Sequence, residues 1–262
     1  MAEAVSLQGR TALVTGAGSG IGKGAALAFA RAGARVIFVD LKEESASDAL
    51  AHAEGTGHLA IAADVSKSED VQRAIARAVE ETGRLDVVYA NAGINGVWAP
   101  ITELEDDEFD RTIAVNLRGT FLTIKYATPH LAQQGGAVLV TSSVNGTRVF
   151  SNTGATAYST SKAGQVAMVK MLAVELGQKG IRVNAICPGA IETNIDASTE
   201  QRDTDQVKIA VEYPHGATPL PGESSGTIEQ VGRLALFLAS DWADHINGEV
   251  VYIDAGTSLV TG

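Results

Sequence analysis

The sequence predicts a doubly wound α/β fold: a Rossmann-like parallel sheet of seven strands with helices on both faces, in one domain spanning 1–262. Three observations carry that expectation. Short runs rich in Val, Ile and Leu alternate with Ala-rich stretches from one end of the chain to the other. The runs are continuously apolar, as strands covered on both faces must be. Each stretch between them is long enough for a right-handed crossover to a parallel neighbour.

The first strand is "RTALVT" (10–15), and a glycine-rich turn delivers it into a helix over 21–32. "ARVIFVD" (34–40) is the second strand, closed by Asp40, with a helix over 43–53 after it. "HLAIAADV" (58–65) and a helix over 67–82 make the third unit, and "LDVVYAN" (85–91) leads to a long helix over 105–131. The fifth strand, "GAVLVTSS" (136–143), precedes a helix over 155–178, and the sixth is "IRVNAIC" (181–187). A helix over 227–239 and the strand "EVVYID" (249–254) complete the pattern. One segment breaks the rhythm: residues 194–226 carry three of the six prolines and much polarity, and a loop of that length reads as a lid at about 190–226.

Composition narrows the function classes. With 45% hydrophobic and 19% charged residues the chain has ample material for a core. No run of about 18 apolar residues occurs, so a membrane-spanning helix is not expected. The opening "MAEAVSLQGR" lacks the basic and apolar regions of a secretory signal, and the single Cys187 allows no internal disulfide, so the expected compartment is the cytoplasm. A formal charge of −11 opposes binding along a nucleic acid, which needs clustered Lys and Arg. The five histidines are scattered, and no metal site is expected.

The chemistry-bearing stretches begin with "TGAGSGIG" (15–22), directly after the first strand. Glycine there lets the chain turn sharply and brings backbone amides to a pyrophosphate at a helix N-terminus. The spacing, Gly16-x-x-x-Gly20-x-Gly22, differs from the common G-x-G-x-x-G, with Ser19 and Ile21 flanking Gly20. Asp40, 18 residues beyond Gly22, can accept hydrogen bonds from the adenosine ribose hydroxyls and would repel a 2′-phosphate. NAD is therefore expected over NADP, with Lys42 leaving NADP a lesser place.

In "AYSTSKAG" (157–164), Tyr158 and Lys162 stand four apart on one helix face, where an ammonium can approach a phenol. A nearby cation favours the phenolate, so the spacing predicts a Tyr158 pKa drawn down toward the working range. Ser143, in "SSVNG" (142–146) at the end of the fifth strand, could share a substrate oxygen with Tyr158. Both positions fall at the carboxyl ends of strands, where ligands of doubly wound sheets bind.

In this order the residues resemble the short-chain dehydrogenase/reductase family in its common form of about this length. The glycine turn, "DV" at 64–65, "NAG" at 91–93, Asn116 in "VNLRG", Ser143, Tyr158, Lys162, and "PG" at 188–189 with Thr193 all match, so the likeness covers essentially the whole chain. The resemblance implies that Asp64 and Val65 hold the adenine, and that Asn91, Ala92 and Gly93 pass near the ribose and nicotinamide. It implies that Ile191 and Thr193, after Pro188 and Gly189, fix the carboxamide, and that Lys162 binds the nicotinamide ribose. Asn116 would keep a water link in a proton relay. Hydride would pass between the nicotinamide and a substrate carbon while Tyr158, oriented by Ser143, gives or takes the hydroxyl proton. Departures are "ANAG" (90–93) for the frequent "NNAG" and "DAGTS" (254–258) where "DGG" is common, while Ser19 replaces the basic residue frequent in NADP users.

The helix "AYSTSKAGQVAMVKMLAVEL" is apolar nearly all round, so its outer face is expected to meet another subunit, and the resemblance suggests a homotetramer. Three loops, 94–100, 144–153 and the lid, should wall the substrate pocket. Val97, Trp98, Val144, Val149 and Phe150 offer apolar surface there, with Asn95, Asn145 and Arg148 as polar candidates. The expected activity is NAD-dependent interconversion of a small or medium secondary alcohol and a ketone. Two alternatives are reduction of 3-oxoacyl groups on an acyl carrier protein and a non-catalytic dinucleotide-binding regulator.

Overall fold

The computed structural model describes residues 5–193, 195–209, 219–220 and 225–261. The chain runs β1 (Thr11–Thr15), α1 (Gly20–Arg31), β2 (Arg35–Asp40), α2 (Glu43–Leu50), β3 (Leu59–Ala62), α3 (Ser68–Thr82) and β4 (Val87–Ala90). It continues through β5 (Gly96–Trp98), α4 (Asp106–Ile113), a π-helical turn (Ala114–Arg118), α5 (Gly119–Leu131), β6 (Gly136–Thr141), α6 (Thr156–Gly177) and β7 (Ile181–Pro188). After these come β8 (Thr199–Gln201), α7 (Ile228–Ala239), β9 (Val250–Ile253) and the short α8 (Ser258–Thr261).

Seven strands form one sheet in the order β3-β2-β1-β4-β6-β7-β9, parallel at every pairing. Strand periodicity divides their side chains between two cores. Leu13, Ile37, Val88, Val138 and Val183 point to the face covered by α3, α5 and α6. Ala12, Val14, Phe38, Tyr89 and Ile186 point to the face covered by α1, α2 and α7. Both faces are therefore dry, which is why these strands read as unbroken apolar runs.

The helices follow their sequence patterns. In α3 the buried residues Val71, Ala74, Ile75 and Ala78 make one stripe, and Gly83, with φ +75°, ends the helix in the left-handed region. Thr227 and Gln230 form a reciprocal capping box that starts α7. In α6 the buried face carries Tyr158, Ser161, Lys162 and Gln165 before it turns apolar at Val169, Ala173 and Leu176. The polar stretch of that face lies toward the carboxyl ends of the strands.

Two features differ from the sequence reading. The helix expected over 105–131 is interrupted by the π-turn, which inserts one residue and centres on the buried Asn116. Three-residue strands β5 and β8, too short to show a periodicity, pair in parallel as a separate ribbon, with Trp98 opposite Gln201. The ribbon ties the start of the expected lid to the segment after β4, and Arg202 fastens it further with a two-pronged ion pair to Glu108 of α4 (3.0 and 2.7 Å). Of the expected lid, residues 194, 210–218 and 221–224 lie outside the described residues.

Candidate active site

The order of the sheet reverses between β1 and β4, and a cleft of about 1260 Å³ opens at the carboxyl ends of the strands there. Gly16, Ser19, Gly20, Ile21, Asp40, Asp64, Val65, Asn91, Ala92, Gly93, Ser143, Tyr158, Lys162, Pro188, Gly189, Ile191 and Thr193 all line it. Gly22 and Asn116, singled out with them, stand behind the lining.

The glycine turn is dictated by close approach. A Cβ on Gly22 would lie 2.1 Å from the Gly16 carbonyl oxygen, and one on Gly18 would lie 2.8 Å from Asp40 Oδ2. Gly16 (φ +65°) and Gly20 (φ +51°) occupy the left-handed region. Two bonds to the end of β2 fix the turn, from Ala17 N–H to the Val39 carbonyl (3.0 Å) and from Gly18 N–H to Asp40 Oδ2 (2.9 Å). Ser19 makes no side-chain capping bond to α1, so the first amides of that helix are left for another acceptor. A glycine-walled turn ending at uncapped helical amides fits the pyrophosphate of a dinucleotide.

Several residues of the lining act by stitching backbone. Asn91 donates from Nδ2 to the Thr15 carbonyl (3.0 Å) and accepts from the Thr141 hydroxyl (2.9 Å), so it joins β1, β4 and β6. Asp64 accepts from the Ser66 hydroxyl (2.6 Å) and amide (3.0 Å). Partial burial pushes its carboxyl up, but Ser66 and Lys67 together bring it below the usual carboxylate range.

At the other end of the cleft, α6 presents Tyr158 and Lys162, both more than nine-tenths buried. Lys162 Nζ donates to the Thr141 carbonyl (2.9 Å) and lies 5.5 Å from the centre of the Tyr158 ring. A Cβ on Gly93 would stand 3.5 Å from that ammonium. Burial lowers the Lys162 pKa to about 8, with partial opposition from Cys187. Burial also raises the Tyr158 phenol above its ordinary value, and the bond from Ser143 pulls the other way. The lowering expected from the Lys162 spacing is therefore not found: desolvation prevails, and the tyrosine is held as the neutral phenol.

Asn116 is brought here by the π-turn. Its Oδ1 accepts from Ile94 N–H (2.8 Å), and its Nδ2 donates to the Ile94 carbonyl (2.9 Å) and the Ser161 hydroxyl (3.0 Å). Ser161 in turn donates to the Tyr158 carbonyl (2.6 Å), so one polar chain runs from β4's exit to the first turn of α6.

The substrate end departs from expectation in part. Trp98, Val144, Val149, Asn95 and Asn145 line the cleft, whereas Val97, Phe150 and Arg148 do not. Phe150 is exposed, and Arg148 stacks on the Tyr252 ring at 3.5 Å. Ser151, Asn152, Ser198 and Ser258 contribute lining that the sequence did not single out. Small polar loop residues carry no spacing signal that could have found them. Among the described residues no cluster of His, Cys, Asp and Glu could hold a metal ion, and no helix is long and apolar enough to cross a membrane.

A glycine turn, a cleft at the switch point and a buried Tyr-Lys face define an oxidoreductase, and the chain belongs to the short-chain dehydrogenase/reductase family. The family model described as enoyl-(acyl carrier protein) reductase matches residues 16–258. The chain is similar to the oxidoreductase UcpA of Escherichia coli K12, at 38% identity over 97% of this chain and 96% of the relative. The solved structure of a 3-ketoacyl-ACP reductase from Sinorhizobium meliloti 1021 superposes with a TM-score of 0.88 at 47% identity, covering 95% of this chain and 99% of the other. A 3-ketoacyl-(acyl-carrier-protein) reductase from Brucella melitensis, complexed with NADH, gives a TM-score of 0.84 at 32% identity, over 97% of this chain and 100% of that one.

Proposed function

We propose that this protein interconverts a secondary alcohol and a ketone with NAD as the hydride carrier, using Ser143, Tyr158, Lys162 and Asn116. The observation that carries the reading is the Tyr158 phenol, buried in a cleft that Ser143 also lines, with the Lys162 ammonium 5.5 Å from its ring centre. A bound nicotinamide supplies the hydride or accepts it.

In the reducing direction the neutral phenol is the proton donor. Tyr158 protonates the substrate oxygen as negative charge develops on it, and Ser143 holds that oxygen in place. In the oxidising direction Tyr158 must first lose its proton, so oxidation should rise with pH. Asn116 serves as a positioning residue: through Ile94 and Ser161 it fixes the two backbone segments that present Gly93 and Tyr158.

The glycine turn and the α1 amides would hold the pyrophosphate, and Asp40 would accept from the adenosine ribose, which favours NAD over NADP. Asp64 and Val65 would border the adenine, with Asn91 to Gly93, Pro188, Gly189, Ile191 and Thr193 around the nicotinamide side. The reading includes a cytoplasmic homo-oligomer, a tetramer as the family likeness suggests. Phe121 of α5 with Met171 and Val174 of α6, all exposed, supports such an assembly.

A second reading, reduction of 3-oxoacyl thioesters on a carrier protein, is favoured by the names of the Sinorhizobium and Brucella relatives. The net charge of −11 and Asp40 weigh against it, because an acidic carrier calls for a basic docking surface and such reductases commonly use NADPH.

The test is turnover of NADH and NADPH against a panel of ketones and 3-oxoacyl thioesters, with wild type and Tyr158→Phe side by side. The expected result is NADH-dependent reduction that falls by about 10²–10⁴ in Tyr158→Phe while NADH binding is kept. Full turnover in Tyr158→Phe would remove the mechanism. Binding of NADH without turnover of any panel member would favour the regulator.

A further inference from the structure

The Ser143 hydroxyl accepts from Asn145 N–H (3.1 Å), and a hydroxyl that accepts from one donor turns its own hydrogen elsewhere. That amide owes its place to a tight loop over 144–149. The Val144 carbonyl accepts from the amides of Thr147 (3.2 Å), Arg148 (2.9 Å) and Val149 (3.0 Å), and the Thr147 hydroxyl donates to the Ser143 carbonyl (2.7 Å). Val144 N–H donates in turn to the Pro188 carbonyl at the end of β7 (3.0 Å). The loop is thus bonded to itself and to its stem, and one side chain carries it on to the edge of the sheet.

That side chain is Arg148. Its guanidinium lies 3.5 Å from the centre of the Tyr252 ring on β9, the edge strand beside β7, and Nη1 reaches the Ser258 hydroxyl at 3.5 Å. Ser258 belongs to a turn closed on Asp254, whose carboxylate accepts from the amides of Gly256 (3.1 Å) and Ser258 (2.9 Å). Burial pushes the Asp254 carboxyl up, but the bonds from Ser258 and Gly256 and the Arg148 charge together bring it below the usual carboxylate range. Ser143, Asp254 and Ser258 all line the cleft, whereas Arg148 stands behind the lining. Two walls of the cleft, more than a hundred residues apart in the chain, are therefore joined by one flat cation. A stacked guanidinium is held by its plane as well as its charge, so a flexible, uncharged side chain does not reproduce the clasp.

We propose that Arg148 is a positioning residue for ketone reduction: by clasping β9 it holds the 144–149 loop where the Asn145 amide aims the Ser143 hydroxyl at the substrate oxygen. This inference rests on the hydride-transfer reading above.

Arg148→Met and Tyr252→Leu break the clasp from its two sides, and each is made alone and together with Ser143→Ala. The full chain is assayed with NADH and the member of the ketone and 3-oxoacyl thioester panel that wild type reduces fastest, at a temperature where thermal melts show every variant folded. Each clasp variant alone should lower kcat about tenfold and shift KM for NADH by less than about threefold, as expected when an interaction made at the substrate oxygen in the transition state is lost. Added to Ser143→Ala, neither should lower kcat by more than about a further twofold, because a residue acting through Ser143 then has nothing left to position. A purely structural defect would instead multiply with the Ser143→Ala loss. Should Arg148→Met fail to fold, Tyr252→Leu carries the same comparison.

Wild-type kcat in the clasp variants, or losses that multiply with that of Ser143→Ala, would overturn the inference and leave the hydride-transfer reading standing. Failure of wild type to reduce any panel member despite NADH binding would overturn that reading and the inference with it.

Discussion

The side-chain amide of Asn116 grips both backbone polar groups of Ile94, accepting from its N–H at 2.8 Å and donating to its carbonyl at 2.9 Å. A single buried side chain thereby stands in for a strand neighbour just past the end of β4. Replacing Asn116 by Ala leaves those groups and Ser161 without partners in a buried place, and should lower unfolding free energy by about 2–4 kcal/mol. Asn116→Asp should be no milder, because it turns two donating contacts into carboxylate oxygens facing acceptors. Chemical denaturation of both variants checks this. Wild-type stability in Asn116→Ala would show that water replaces the amide.

Lys162 gives a pH signature. Its pKa is brought down from 10.5 to about 8 by burial. Below pH 8 the folded and unfolded chains both carry the proton, so the full cost of burying the ammonium is present. Between about pH 8 and 10.5 only the unfolded chain keeps it, and the contribution of this group to stability rises with pH. Unfolding free energies of wild type and Lys162→Met, compared from pH 7 to 10.5, should therefore diverge in favour of wild type by on the order of 3 kcal/mol. A difference that stays flat across that window would mean that the folded protein keeps this ammonium charged throughout.

The glycine turn can be separated from generic glycine strain. Gly22→Ala drives a methyl to 2.1 Å from the Gly16 oxygen and 2.5 Å from Asn91 Nδ2, and should cost about 1–3 kcal/mol. It should also weaken NADH binding. Gly83→Ala, at φ +75° with nothing within 4 Å of the added carbon, should cost about 1 kcal/mol and leave NADH binding alone. Paired thermal melts and fluorescence titrations with NADH make the comparison.

Ala255 carries φ +53°, a conformation that disfavours any Cβ. It is the residue that replaces the first glycine of the more frequent "DGG". Restoring it, Ala255→Gly, should raise stability by about 0.5–1 kcal/mol after the larger chain entropy of glycine is set against the relieved strain. A scanning calorimetry Tm higher by roughly 1–4 °C is the expected reading.

The seven strands were legible because strands covered on both faces, such as β1 with Ala12, Leu13 and Val14 all buried, leave unbroken apolar runs. The glycine turn after β1 was legible because close backbone approach demands glycine at fixed places, as at Gly22. The ribbon of β5 and β8 was not, since Gly96–Trp98 and Thr199–Gln201 are too short to show a period. Arg148 misled for another reason: its partner, Tyr252, lies more than a hundred residues away, and no local pattern announces that stacking. The rise in the Tyr158 pKa was also beyond spacing arguments, because it depends on how much of α6's first turn is covered.

The π-turn at Ala114–Arg118 bears on how this chain tolerates length changes. A π-turn holds one residue more than the α-helical path it replaces, and each helical residue turns the chain by about 100°. Deleting one residue there would restore plain α-helix between α4 and α5 and rotate one relative to the other. The faces of α4 set against β5 and α6, and of α5 set against α3 and β4, could not then both keep their neighbours. The spacing between Glu108 and Gly119 is therefore held by the packing of both helices at once.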